Sequence, residues 1–371
     1  MADAGLDGLF LATGTNLCYL SGYPSVEATL ARPFFLLVPP TGGPVLIVHT
    51  GRLAEALRYS WIDDVRAYAE LSVAPVVELE RAFADAGLAG GRVGAELGFE
   101  QRLGVPLLEF ERIRTALPRT TFDDAAAVLW QLRMVKASWE IDAVRRACRI
   151  TAAAYEATFA EAVEGMVDRA AARSLETAMV AGGGQAPWVL VTSGVGNYEL
   201  ATGAPMDREL QAGDMLWFDA GCRVEGFWSD FSRAGVIGKA TASQREAQRA
   251  IIELTAQGVA MVRPGVPVAD IAASVDAGVR SIGVPVIART SELAGRVGHG
   301  IGYDITEPPH VSPSDPTVLE AGMIISIEPG VATEDGLFHA EENVLVTPDG
   351  HEVLSVCPPD LRSLARAATS A

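Results

Sequence analysis

The chain has 371 residues, 49% of them hydrophobic, which is more than one compact core usually carries and enough to build two. Its 47 acidic residues outnumber 29 basic ones, giving a net charge of −18 that repels phosphate backbones and anionic lipid, so neither nucleic acid nor a membrane is expected as a partner. Four cysteines, Cys18, Cys148, Cys222 and Cys357, stand far apart without a CxxC pair, which argues against a zinc ribbon and a disulfide framework and fits a reducing compartment. The start, Met1 to Asp7, lacks the basic and apolar pattern of a secretion signal, and no apolar run is long enough to span a bilayer, so a cytoplasmic protein is expected.

Residues 7–130 alternate short apolar runs with turns. Phe34 to Val38, Pro39-Pro40-Thr41-Gly42-Gly43 and Val45 to Val48 read as a hairpin, and Leu53 to Tyr59 and Val76 to Ala86 read as helices. A small mixed α/β domain over 1–130 is expected, with no candidate chemistry in it. From Trp139 the period becomes helical, with Ile141, Val144, Ala147, Ile150 and Ala154 on one stripe and Glu140 and Asp142 suited to the positive end of the helix dipole. A second domain is expected over 131–371. Within it, Ser243 and Glu246 read as a capping box, Arg263-Pro264-Gly265 as a helix stop, and Val268 to Ser281 as a further helix. Strand-like segments at Met215 to Ala220, Trp228 to Ile237, Met323 to Glu328 and Asn343 to Thr347 make the pattern α+β, without a fixed-period repeat.

The chemistry gathers in this second half. The segment from Leu216 to Phe231 has two β-like arms around a turn, and a turn centred on Val224 and Glu225 sets Asp219 directly opposite Asp230 on one face. Two carboxylates at that separation repel unless a cation joins them or one is protonated. In Gly298-His299-Gly300-Ile301-Gly302 the glycines let the backbone approach closely and leave the imidazole clear, while the strand-to-helix setting that phosphate binding needs is missing. Glu328 ends an apolar strand, and Glu341 and Glu342 open another, one on each face. A turn-capping Asp and a structural histidine are the competing readings of these segments taken singly. Together, four carboxylates and one imidazole balance two divalent cations, and oxygen-rich ligation favours Mn²⁺, Co²⁺, Fe²⁺ or Zn²⁺ pairs over a tetrahedral structural zinc.

The order Asp, Asp eleven residues on, Gly-His-Gly-Ile-Gly, Ile-Glu-Pro-Gly, and Glu before Val-Leu-Val-Thr resembles the pita-bread metallopeptidases of family M24, which include Xaa-Pro dipeptidase, aminopeptidase P, methionine aminopeptidase and creatinase. Leu132-Arg133-Met134-Val135-Lys136 followed by Glu140-Ile141 resembles that family's interdomain linker, and residues 1–130 its creatinase-type N-terminal domain. The resemblance implies a pita-bread catalytic domain and two divalent ions, manganese foremost, held by Asp219, Asp230, His299, Glu328 and Glu341. It implies Glu342 as a neighbouring non-ligand and Glu328 as a proton shuttle for water activated by metals roughly 3.5–4 Å apart, without a covalent intermediate. It also implies a homodimer.

Two departures bear on substrate. The family's proline-specific members carry histidines where this chain has Thr202 and Thr306, while His310 follows Thr306 by four residues and His339 stands in place of an arginine common before the last ligand. These four are the candidate substrate contacts. The expected reaction is hydrolysis of an amide C–N bond in a small molecule or short peptide. The alternatives are the metal-dependent lyase chemistry of dimethylsulfoniopropionate lyases and the amidinohydrolase chemistry of creatinase. A catalytically dead binding module would have lost ligands, which this chain retains, and a serine hydrolase would need a Gly-x-Ser-x-Gly elbow, which it lacks.

Overall fold

Leu9-Phe10-Leu11 and Phe35-Leu36-Leu37 are apolar at both parities, which demands a sheet covered on both faces. The computed structural model, which describes residues 1–24, 31–199 and 203–366, contains that sheet. The chain divides into two compact units, Met1–Arg133 and Met134–Ala371.

In the first unit six strands pair in the order Asp64–Tyr68, Val45–His49, Phe35–Val38, Gly8–Ala12, Arg92–Ala95, Thr121–Asp124. Phe10, Phe35, Leu37 and Ile47 face one side with the helices Val76–Asp85 and Leu107–Ala116. Leu9, Leu11, Leu36, Leu46 and Val48 face the other, with Leu17, Ala56 and Leu129 from Thr15–Ser21, Leu53–Tyr59 and Ala126–Met134. The expected hairpin joins Phe35–Val38 to Val45–His49.

The second unit is built on two helix pairs. Ser138–Glu161 is followed by Asp168–Ala181 and packs on the strand Met215–Val224; Ala242–Met261 is followed by Val268–Arg280 and packs on the strands of the second half. The connections, 162–167 and 262–267, each place a glycine at φ +86°, Gly165 and Gly265. This pseudo-repeat, offset by one hundred residues, is a feature that a search for short periods does not see. One sheet runs Arg362–Leu364, Phe231–Ile237, Met215–Val224, Gln185–Ser193; another runs Glu307–His310, His299–Gly300, Ile324–Ile327, Glu342–Thr347, Gly350–Val353. A third joins Ala288–Arg289, Gly330–Thr333 and Gly336–His339. The α+β mixture is as expected, and among the described strands of this unit pairing is antiparallel except where Arg362–Leu364 runs parallel to Phe231–Ile237, next to the parallel bridge of Val163 and Ala365.

Two local expectations are corrected. The helix Ala242–Met261 starts earlier than expected, so its capping box is Thr241 with Gln244: Gln244 N donates to Thr241 Oγ1 at 3.1 Å and Thr241 N to Gln244 Oε1 at 2.9 Å, while Ser243 bonds Asp335. The stripe on Ser138–Glu161 is rotated, with Ala143, Val144, Ala147, Cys148, Thr151 and Tyr155 buried and Ile141 and Ile150 at its margin. Glu140 does serve the helix start, accepting from Ala137 N at 2.6 Å. No helix among the described residues is long and apolar enough to cross a membrane.

Candidate metal centre

Arg223 pairs with Trp228 and Val224 with Phe227, so the turn consists of Glu225 and Gly226 at φ +52° and +90°, both left-handed as a two-residue type I′ hairpin requires. The turn lies one residue later than expected, and the register moves by two. Asp219 therefore faces Ser232 and not Asp230. A slip of two returns each side chain to its own face, so Asp230 stays on the side of Asp219 as a diagonal neighbour. The ladder breaks at Ser229 and Asp230. Asn343 holds the break: Asp230 N donates to Asn343 Oδ1 at 3.0 Å and Asn343 Nδ2 donates back to the Asp230 carbonyl.

His299 lies on a short strand between Glu307–His310 and Ile324–Ile327. The glycines around it are fixed by close approach: a Cβ on Gly298, Gly300 or Gly302 would stand 2.1 Å from Ser326 O, 2.3 Å from Pro308 O or 2.2 Å from Glu307 Oε1. His299 N donates to Ser326 Oγ, and Nδ1–H to the Gly300 carbonyl at 3.0 Å. Nε2 is thereby left as an acceptor, 3.6 Å from Asp230 Oδ2, 3.6 Å from Glu328 Oε1 and 3.9 Å from Glu341 Oε1. Burial pushes this imidazole down to about 3, so it is neutral near pH 7.

Around Nε2 the acids are crowded and buried. Burial raises Asp219 to about 6 and Glu328 to about 8, and burial together with the neighbouring acids carries Asp230 and Glu341 well above the carboxylate range. One oxygen each of Asp219, Asp230 and Glu328, and both of Glu341, lack a hydrogen-bond partner. Orphaned carboxylate oxygens are costly unless something cationic answers them. Among the described residues, ligand atoms of Asp230, His299 and Glu341 lie within 4.8 Å of one another. Unpartnered carboxylate oxygens around a neutral imidazole nitrogen are the donor set of a divalent cation, and the residues present fit one.

The surroundings are built to fix the acids. Arg233, 1% exposed, donates to the carbonyls of Ser232, Glu341 and Cys357 and to both oxygens of Glu342, placing Glu342 on the face away from Glu341. Lys136 and Glu307 form a second buried pair at 2.5 Å. His339 reaches the centre, with Nε2 3.8 Å from Glu328 Oε2, Nδ1 2.7 Å from Ser232 Oγ and its ring edge-on to Trp217. Burial pushes it down to about 4. His310 pairs across the sheet with His299 and accepts from Arg296 Nη1 at 3.1 Å. Thr306 is half-buried in the loop before Glu307–His310, and Thr202 lies outside the described residues. Sequence reasoning missed Arg296, Arg233 and Asn343. Asn343, a polar residue inside an apolar strand, carried a readable signal; Arg296 carried none beyond its nearness to the glycine-flanked histidine.

The two units and the acid-and-imidazole donor set define a metal-dependent hydrolase. The sequence profile of metallopeptidase family M24 matches residues 142–348, and that of the creatinase/prolidase N-terminal domain matches residues 1–135; the chain belongs to the M24 family. It is similar to the Xaa-Pro dipeptidase of Pyrococcus furiosus, 28% identical over 96% of this chain and 95% of the relative. It is 31% identical to the probable dipeptidase PepE of Mycobacterium bovis, over 97% and 92%. Among solved structures, dipeptidase PepE of Mycobacterium ulcerans superposes with a TM-score of 0.81 at 27% identity, covering 98% of this chain and 95% of that one. The prolidase of Pyrococcus horikoshii shares the pita-bread fold with a TM-score of 0.83 at 24% identity and 97% coverage of each.

Proposed function

We propose that the chain is a dinuclear metal-dependent dipeptidase, similar to the Xaa-Pro dipeptidases, that hydrolyses the amide bond of a short peptide. The observation that carries this reading is the gathering of Asp230, Glu328 and Glu341 within 3.9 Å of one neutral imidazole nitrogen, where Glu328 Oε1 and Glu341 Oε1 have no hydrogen-bond partner. Asp219, Asp230, His299, Glu328 and Glu341 hold two divalent ions, with Mn²⁺ the leading candidate and Co²⁺, Zn²⁺ or Fe²⁺ the alternatives. When bound, the ions supply Lewis acidity to the scissile carbonyl and lower the pKa of the attacking water.

The protein's own groups do the rest. His299, its tautomer set by the Gly300 carbonyl, offers Nε2 as a lone pair. Glu328, with 16% of its side chain accessible against 5% for Asp230 and 1% for Glu341, is the acid open to substrate. It takes the proton of the attacking water and returns it to the leaving nitrogen. His339, His310 and Thr306 are the candidate substrate contacts among the described residues, and Thr202 is a further candidate that lies outside them. The similarity to dipeptidases favours peptide hydrolysis over lyase or amidinohydrolase chemistry. A homodimer in the cytoplasm completes the reading.

The test is elemental analysis of the purified protein with a screen of Xaa-Pro and other dipeptides, N-acyl amino acids and sulfonium acids, with and without chelator. Two ions per chain and chelator-sensitive dipeptide cleavage are expected. Chelator-insensitive turnover, or a metal-loaded sample that cleaves no amide, would overturn the proposal.

A further inference from the structure

Lys136 and Glu307 form a pair that stability alone does not explain. Their side chains are 1% and 0% accessible, and Nζ stands 2.5 Å from Oε1. Taking both charges out of water offsets most of what their attraction returns, and an apolar pair of similar volume would hold the fold as well. A short charge-assisted bond supplies something an apolar contact does not, a single fixed arrangement of the segments it joins.

Those segments flank His299. The strand His299–Gly300 lies between Glu307–His310 on one side and Ile324–Ile327 on the other. The main chain at Lys136 is fastened beside the second of these: Lys136 N donates to the Gly322 carbonyl at 3.0 Å, and Val135 bridges to Met323, the residue before Ile324. Its side chain is fastened to the first, at Glu307, which pairs directly with Gly300. Lys136 thus reaches from one neighbour of the histidine strand to the other. Gly302 lies against the joint, where a Cβ would stand 2.2 Å from Glu307 Oε1 and 2.9 Å from Lys136 Cε.

The Gly300 peptide passes this placement to the imidazole. Its carbonyl accepts from His299 Nδ1–H at 3.0 Å, the bond that leaves Nε2 as the free lone pair and directs the ring. A Glu307 released from Lys136 would let the Gly300 and Gly302 main chain shift, and the ring would turn with it. With three acids 3.6, 3.6 and 3.9 Å from Nε2, a small turn changes the donor set.

Building on the metal-centre reading, we propose that Lys136 and Glu307 are positioning residues whose bond fixes the Gly300–Gly302 main chain and so aims His299 Nε2 at the metal. Their removal is felt in metal binding more than in stability.

The experiment replaces both charges at once in the full-length protein, as Lys136→Met with Glu307→Met, so that neither is left buried alone. Its urea midpoint should stay near that of the wild type. Mn²⁺ binding by calorimetry should weaken at least ~10-fold, the scale of losing the group that orients a metal-bound histidine. The visible absorption of the Co²⁺-loaded protein should change as well. Glu307→Gln, which keeps an amide oxygen for Nζ, should retain more of the affinity than the double variant. Leu79→Ala, a cavity in the buried core of the first unit, should lower stability and leave Mn²⁺ affinity unchanged. A double variant with wild-type affinity and Co²⁺ spectrum would overturn the proposal. So would a loss of affinity matched by Leu79→Ala, since the pair would then act only through stability. A wild type that takes up no divalent ion would refute the metal centre itself, and is told apart because the other failures leave wild-type metal binding intact.

Discussion

Removing divalent metal and then raising the pH from 6.5 to 8 should destabilise the protein, with a slope that follows from the acid centre. Burial holds Glu328 at about 8 and Asp230 and Glu341 well above their ordinary values, whereas in the unfolded chain such acids lose their protons near 4. Between those limits the folded state binds more protons than the unfolded state, so unfolding free energy falls as pH rises. For acids displaced upward, the stabilisation is complete below the unfolded value and is lost as pH rises through the folded one. His299 and His339, displaced downward to about 3 and about 4, act in the opposite sense. Their effect is halved where the unfolded imidazole has half lost its proton, at its ordinary 6.5, and fades above it, which is why the window begins there. Each proton retained contributes about 1.4 kcal/mol per pH unit, so Glu328, which loses its proton near 8, alone amounts to roughly 2 kcal/mol across the window, and Asp230 and Glu341 add to it in the same direction. Urea unfolding of chelator-treated protein at three pH values reads the slope, and Mn²⁺ should flatten it by replacing the protons. Stability of the metal-free protein that stays level or rises across this window would refute a cluster of closely spaced, buried carboxylates.

Glu341→Gln removes one negative charge from the crowded centre; it should weaken Mn²⁺ binding at least ~10-fold by calorimetry and reduce the pH slope of the metal-free protein. Glu342→Gln leaves Arg233 buried without its counter-charge and should cost roughly 3–5 kcal/mol in urea unfolding, a loss that Arg233→Met combined with Glu342→Leu should largely reverse. Thr306→His restores an imidazole in the loop before Glu307–His310 and should raise kcat/KM for Gly-Pro several-fold; an unchanged rate would mean that this position does not face the substrate.

The candidate donors were legible because each leaves a local mark: an acid at the end of an apolar run, a histidine among glycines, two aspartates flanking a turn. Their convergence was legible only through parity. The expected turn on Val224–Glu225 was off by one, yet a hairpin register changes by two when its turn moves by one, so Asp219 and Asp230 kept a common face although they were not direct partners. The capping box failed for a different reason. Ser243 and Thr241 both satisfy the local rule, and the choice between them depends on Ser243 finding Asp335 ninety-two residues away. Arg233 and Arg296 show the limit. Nothing in their neighbours tells that one is sealed against Glu342 and the other bonded to His310, because both outcomes are set by segments more than a dozen residues distant.

The centre is organised by its backbone more than by hydrogen bonds to the donors themselves. Asn343 fixes the main chain of Asp230, Arg233 holds the Glu341 carbonyl at 2.8 Å, Thr255 the Ala340 carbonyl at 2.9 Å, Ser326 the His299 amide at 3.1 Å, and the Val297 carbonyl accepts from Glu328 N at 2.8 Å. Anchoring the peptide groups positions the side chains while leaving carboxylate oxygens unbonded, which is the condition for strong cation binding, and burial of the same acids is what raises their pKa values. Had the oxygens been satisfied by side-chain donors, the site would be stable without metal and poor at holding it. The same arrangement leaves Glu328 the most accessible of the four acids, with Arg296 Nε 3.6 Å from its Oε1, while the remaining three acids stay buried.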